Sequence, residues 1–260
     1  MTTLTDFMMK QQNMLRRIRL SAERRMKSVE NLFRHNQQLA KMYDDTIRPE
    51  LALRGWFIAG SLNHNQFQQL SQAFKEGRES DIEEFLKDHT NKRIPDITSS
   101  TLQRWPSREH ILSDAFDAHT EQKYTLSVPV LLSQADGISH DLLGAFLFTN
   151  RKGKISDKAS QLRDDKFSNR PLAKSFLGLL LEASGLSTDT CERDKQIAER
   201  HVVSSLNRHG VLHGLDCDYA TEANSLRGIS LIEFLEWVAE VIEHKQNEDT
   251  PDKNLDADIR

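Results

Sequence analysis

Apolar and polar residues alternate with a helical period over most of the chain. From Thr5 to Asp44 there is no Gly or Pro, and a seven-residue frame starting at Met8 puts Met8, Leu15, Ala22 and Val29 at one seam position and Ile18, Leu32 and Leu39 at the other. Gln11, Arg25 and Asn36 are the exceptions, so the pattern predicts one long helix whose seam suits helix packing or a short coiled coil. Pro49 is expected to end it. Residues 51–62, with Trp56, Phe57 and Ile58 between Gly55 and Gly60, read as an apolar loop or short helix on the core, with Trp56 structural. Residues 64–75 and 79–88 read as two short helices, the second capped by Ser80. Pro95 and the run Thr98 to Thr101 predict a surface loop and the best internal linker. A helix over 107–122 follows, starting at Ser107 with Ile111, Leu112, Ala115 and Phe116 on one face.

At 124–136 two signals compete, since Val128 and Val130 favour a strand while Pro129 can open a buried helix. A helix from Pro129 is the reading adopted, and it carries Gln134 and Asp136 to the end of the element before Gly137. Those two polar groups either face a cleft or mark a plain C-terminal cap at Gly137. Residues 150–170 hold Arg151, Lys152, Lys154, Lys158, Arg163, Lys166 and Arg170 with no apolar period, which predicts a basic, mobile loop able to contact phosphate. Helices are then expected over 171–184, opened by Pro171 and closed near Gly185, over 195–209, and over 222–243. The expected fold is all-α: a helical bundle with a long N-terminal helix, divided into a helical region at 1–95, a bundle at 105–243 and a disordered acidic tail at 244–260.

Composition adds limits. Hydrophobic residues are 37% and charged residues 28%, polar for a globular protein but too apolar for a disordered one. The net charge of -4 supplies no general field for nucleic acid, so any RNA contact has to come from local basic patches. One such patch is the outer face of the N-terminal helix, where Arg16, Arg17, Arg19, Arg24, Arg25, Lys27 and Arg34 outnumber Glu23 and Glu30; it reads either as a phosphate attractor or as a solvated face. There is no run of eighteen apolar residues and no basic-plus-apolar leader, so a cytoplasmic protein without a membrane segment is expected. Cys191 and Cys217 stand far apart, which supports neither a disulfide framework nor a thiolate zinc site. No glycine-rich phosphate loop occurs.

The candidate chemistry lies at Asn207-Arg208-His209-Gly210-Val211-Leu212-His213-Gly214, a polar, glycine-marked junction between two helices. His213 follows Val-Leu directly, a place where an apolar core meets a cleft and where burial can shift an imidazole across neutrality. On an ideal helix residues five apart point about 140° away from each other, so Arg208 and His213 converge only if the helix breaks, as Gly210 permits, or if a second subunit supplies one of them. His209 and His213 are four apart and with Asp216 or Asp218 form a competing zinc set, although no HExxH glutamate stands between them. A non-catalytic interaction module, with His213 as a core histidine and Arg208 capping carbonyls, is a second alternative. A nucleotidyl-binding or transferase role is a third.

The arrangement Arg208-His209-Gly-Val-Leu-His213-Gly214 in a helical chain resembles the Arg-x4–6-His motif of the HEPN superfamily. The likeness extends through Tyr219-Ala-Thr221-Glu222-Ala-Asn224-Ser225 and the apolar helix after it, similar to bacterial HEPN-like proteins of defence or toxin type, and covers about a fifth of the chain. The resemblance implies a metal-independent endoribonuclease acting as a homodimer, without cofactor, in phage defence or a toxin–antitoxin system with a partner protein. It assigns the catalytic roles to Arg208 and His213, with His209 at the family's polar position. Asn207, Tyr219, Gln134, Asp136, Lys152 and Lys154 are the candidate substrate contacts.

Overall fold

Helix α1 runs from Leu4 to Met42, and the chain does not leave helical form at Pro49. A π turn, Tyr43–Ile47, leads directly into α2, Arg48–Arg54, in which Pro49 occupies the first turn. There its missing N–H costs nothing, and the wider turn upstream, in which the Arg48 N–H reaches back to the Tyr43 carbonyl, gives the ring room. The expected break is therefore displaced to Gly55, whose φ of 70° ends the helix. The computed structural model describes residues 4–147, 159–164, 167, 170–182, 186 and 206–248, with side chains from Gln11 to His244. Among these there is no strand, and the fold is all-α with a long N-terminal helix.

Beyond α2 come α3, His64–Glu76, α4, Glu79–Arg104, α5, Glu109–Thr120, α6, Tyr124–Leu143, α7, Pro171–Leu177, α8, Arg208–Leu212, and α9, Glu222–Glu248. Helix α9 lies at the centre, against α6 on one side and α4 on another. Leu226, Ile229, Leu231, Ile232, Leu235 and Val238 are all fully buried, positions that go round the whole helix, as befits an element enclosed by neighbours. A single core joins them to Tyr43, Ile47 and Trp56 from the first third of the chain and to Leu112 and Leu131. Trp56 is fully buried, as its structural reading requires.

Several sequence expectations fail here. Pro95 and the Ser/Thr run after it do not form a loop, because α4 passes through them unbroken. Pro95 is exposed, so the carbonyl that its ring leaves unbonded is not shut away from solvent, and Ile97 and Thr101 are buried against the body. The Arg93 guanidinium, 2.8 Å from Glu233 at Nε, and Arg104, 2.8 Å from Glu243, tie α4 to α9 on both sides of Pro95. The helix also starts at Glu79, with Arg78 before it and no side-chain cap from Ser80; likewise a 3-10 turn, Pro106–Arg108, precedes α5, so Ser107 is not its cap. In α6 the helix begins at Tyr124, includes Pro129, and passes through Gly137 to end at Gly144, whose φ is 66°. The Arg108 guanidinium lies on Gly137: a Cβ there would sit 2.9 Å from Nη1.

The segment expected as a structureless basic loop contains a helical stretch at 159–164, with Ala159 and Phe167 fully buried; Lys152 and Lys154 lie outside the described residues. Pro171 opens α7 as expected, but the α-helix stops at Leu177 and tightens to a 3-10 turn at Gly178–Leu181, where Arg48 packs on Gly178. The expected helix at 195–209 lies outside the described residues except at its end. The tail is helical to Glu248, and 249–260 lie outside them as well. Among the described residues no helix is long and apolar enough to cross a membrane.

Candidate functional site

Asn207 to Gly214 form one capped helical turn. Asn207 is extended, fully buried, and its Oδ1 accepts a 2.8 Å hydrogen bond from the Gly210 N–H, satisfying a donor that the first turn of a helix leaves open. At the other end Gly214, with φ 68°, turns the chain so that the Leu215 N–H donates to the Gly210 carbonyl at 2.8 Å and the Gly214 N–H to Val211 at 3.2 Å. This double closure is the Schellman arrangement, which requires a left-handed residue just past the helix. Val211 is buried and Leu212 packs on the core. The sequence permits a break at Gly210; the structure keeps Gly210 inside α8, buried, and the helix ends before Gly214.

Two kinds of side chain leave this turn. Arg208 crosses to α6, where its Nη2 donates to Asp136 Oδ2 at 3.2 Å, with the two side chains 21% and 9% exposed. Its Nε is buried without a hydrogen-bond partner, which leaves one donor of the guanidinium unspent inside the junction. The His209 and His213 rings stand nearly parallel, 7° apart in plane and 5.8 Å between centroids, as four-residue spacing on a helix dictates. His213 is exposed, so it is neither a core histidine nor seated in a buried cleft as its apolar neighbours suggested; the helix end turns it outward. Arg208 and His213, on one unbroken turn, diverge.

Of the candidate substrate contacts that the structure describes outside the turn itself, Asp136 meets the motif, through Arg208. Gln134, two positions away and on another face of α6, accepts from Arg108 Nη1 at 2.9 Å. Tyr219 donates its hydroxyl to the Thr125 carbonyl at the start of α6, while its own carbonyl accepts from Asn224 Nδ2; it latches the loop before α9. Asn207 is enclosed and acts as a cap. Asp216 accepts from the Asp218 N–H at 3.0 Å, and among the described residues no three His, Cys, Asp or Glu side chains gather as a metal set.

Several polar groups escaped sequence reading. Arg108 bridges Gln134 and Asp141, which its hydrogen bond and charge hold below the ordinary carboxylate range. Buried His119 places Nδ1 2.8 Å from Ser225 Oγ, itself 2.8 Å from Ser127 Oγ, linking α5, α6 and α9; burial lowers its pKa, partly opposed by Glu222. His89 lies 2.9 Å from Ser61 Oγ, and burial, with Arg93 adding, lowers its pKa to about 4. Ser61 lines a cavity of about 310 Å³ with Gly60, Arg93, Glu233, Glu236 and Trp237. Burial raises the pKa of both glutamates. The pair Glu233 and Glu236 inside an apolar helix was the signal available in the sequence. Carboxylates on that wall repel phosphate, so the cavity does not suit a nucleic acid.

Comparison with known proteins adds no relative: no family model, no curated protein and no solved structure matches this chain.

Proposed function

We propose that the chain is a metal-independent endoribonuclease of the HEPN type, with Arg208 and His213 as its reacting groups and His209 beside them. The observation that carries this reading is the capped turn itself: it sets two parallel imidazoles, His213 exposed and His209 half-buried, one residue and one turn away from an arginine anchored by Asp136. RNA holds its own nucleophile. A protein therefore needs only to take the 2′-hydroxyl proton, stabilise the charge growing on the phosphorane, and return a proton to the leaving 5′-oxygen. His213 is assigned the proton transfers, worth ~10²–10⁴-fold, and Arg208 the charge stabilisation, worth ~10²–10³-fold. Because the two side chains diverge on one turn, a phosphate meets both only where two junctions face each other, which makes the active unit a homodimer about a two-fold axis. A role in phage defence or a toxin–antitoxin system, with RNA as target, follows from the same resemblance.

A second reading, a non-catalytic interaction module, is favoured by one observation: Asp136 already occupies the Arg208 guanidinium. Incubation with RNA in excess EDTA separates the two. The ribonuclease leaves 2′,3′-cyclic phosphate and 5′-hydroxyl ends; an interaction module leaves RNA intact. Cleavage that stops with EDTA and yields 5′-phosphates makes His209 and His213 metal ligands instead.

A further inference from the structure

Every residue of α1 from Gln11 to Arg34 is exposed, so this part of the helix, about 36 Å long, stands clear of the body. It is not a polar helix. Leu15, Ile18, Val29 and Leu32 are 55–66% exposed along one seam, with Met14, Met26 and Phe33 beside them. A solitary helix with such a stripe leaves in water the surface that normally stabilises helices. The charges lie elsewhere: Arg16, Glu23 and Glu30, Arg17 and Arg24, and Lys27 and Arg34 occupy the three heptad positions farthest from the seam. A nucleic acid drawn by those cations would leave the seam uncovered.

We infer that the seam is covered by the α1 of a second copy of this chain, running antiparallel, in a register that sets Ala22 of each helix opposite Arg25 of the other. In an antiparallel pair the two seam positions face each other across the axis, and this one register resolves each irregularity in the frame. Ile18 meets Val29, and Leu15 meets Leu32. Gln11 meets Asn36, polar against polar. The long Arg25 lies over the small Ala22, whose side leaves its stem space to reach water. At the flanks Ser21 comes beside Ser28 and Arg19 beside Met26, so no two like charges are opposed. Arg19 is moreover held by Glu23 of its own helix at 3.0 Å. A parallel pair would instead set Arg25 against Arg25 inside the seam. The antiparallel overlap, from Gln11 to Asn36, ends where Leu39 enters the body and is already buried. It covers on the order of 1,200 Å² in total, the lower range of specific interfaces. The two bodies then lie at opposite ends of a rod and the contact uses no residue of the Asn207–Gly214 turn, so the two turns of one α1 pair do not face each other and the facing turns of the proposed ribonuclease belong to a separate contact between copies.

The test uses full-length chains carrying Cys191→Ser and Cys217→Ser. Tagged Leu15→Cys is mixed with untagged Leu32→Cys and oxidised, beside each variant alone. The expected result is a mixed disulfide between the two variants and none within either alone. Self-crosslinking of Leu15→Cys would establish a parallel pair and overturn the inference, as would the absence of any crosslink. As a second measurement, the double variant Leu15→Glu, Val29→Glu is expected to lower the mass seen by sedimentation to half or less while the melting of the body stays unchanged, since both side chains are exposed in a single copy. An unchanged mass would also overturn it.

Discussion

Arg208 of α8 reaches Asp136 of α6 at 3.2 Å, and this pair fixes the one-turn helix to the body. Asp136 is only 9% exposed on its side chain, so taking the cation away leaves a poorly solvated carboxylate. Arg208→Ala is expected to lower stability by ~1–3 kcal/mol by urea denaturation, whereas the double variant Arg208→Ala, Asp136→Ala recovers part of the loss. Strict additivity of the two single variants would show that the pair contributes nothing.

Asn207 is both fully buried and the N-cap of the turn. Asn207→Ala removes the acceptor of the Gly210 N–H and is expected to cost ~1–2 kcal/mol, with Asn207→Asp and Asn207→Ser closer to the natural chain. Thermal melts of the three variants check the order.

Helix positions were largely legible in the sequence from the helical period: α1, α5 and the starts of α7 and α9 sit where the pattern puts them. Prolines and glycines misled it. Pro49, Pro95 and Gly137 are local breakers whose effect is decided by tertiary neighbours, namely a π turn, the ion pairs to α9 and the Arg108 guanidinium. At the junction neither the pairing of Arg208 with Asp136 nor the orientation of His213 was legible in the sequence. Val-Leu before His213 signals burial, and only the Gly214 turn after it shows that the imidazole points outward.

Gly137 gives a direct check of that explanation. Gly137→Ala places a methyl group against the Arg108 guanidinium and is expected to displace it from Gln134 and Asp141 with a modest loss of stability. Arg108→Ala should then remove the penalty of Gly137→Ala. Persistence of the full penalty in that double variant would contradict the Arg108 explanation, since in the helix backbone alanine is favoured over glycine by ~1 kcal/mol.

His89 makes stability depend on pH. In the unfolded chain an imidazole titrates near 6.5, whereas folded His89 stays neutral down to about 4. The stability this represents is complete above the unfolded value and is lost as pH falls from there toward 4. Buried His119 acts in the same direction, while Glu233 and Glu236, whose raised pKa values mean that acid relieves their burial, act in the opposite one. The difference between natural chain and His89→Gln isolates the histidine: the natural chain is expected to lose ~2–3 kcal/mol more between pH 7 and pH 4. Equal slopes by urea denaturation would contradict the neutral, buried His89.

The measurement that bears most directly on the ribonuclease reading is RNA cleavage in EDTA by His213→Ala, with its melting temperature taken on the same sample. His213 is exposed, so its truncation leaves no cavity and the melt should match that of the natural chain. The account predicts cleavage reduced by at least ~10²-fold, the value of a lost general acid–base, at an unchanged melting temperature. Cleavage by His213→Ala at the natural rate would contradict it and remove the Arg208 and His213 pair from the chemistry.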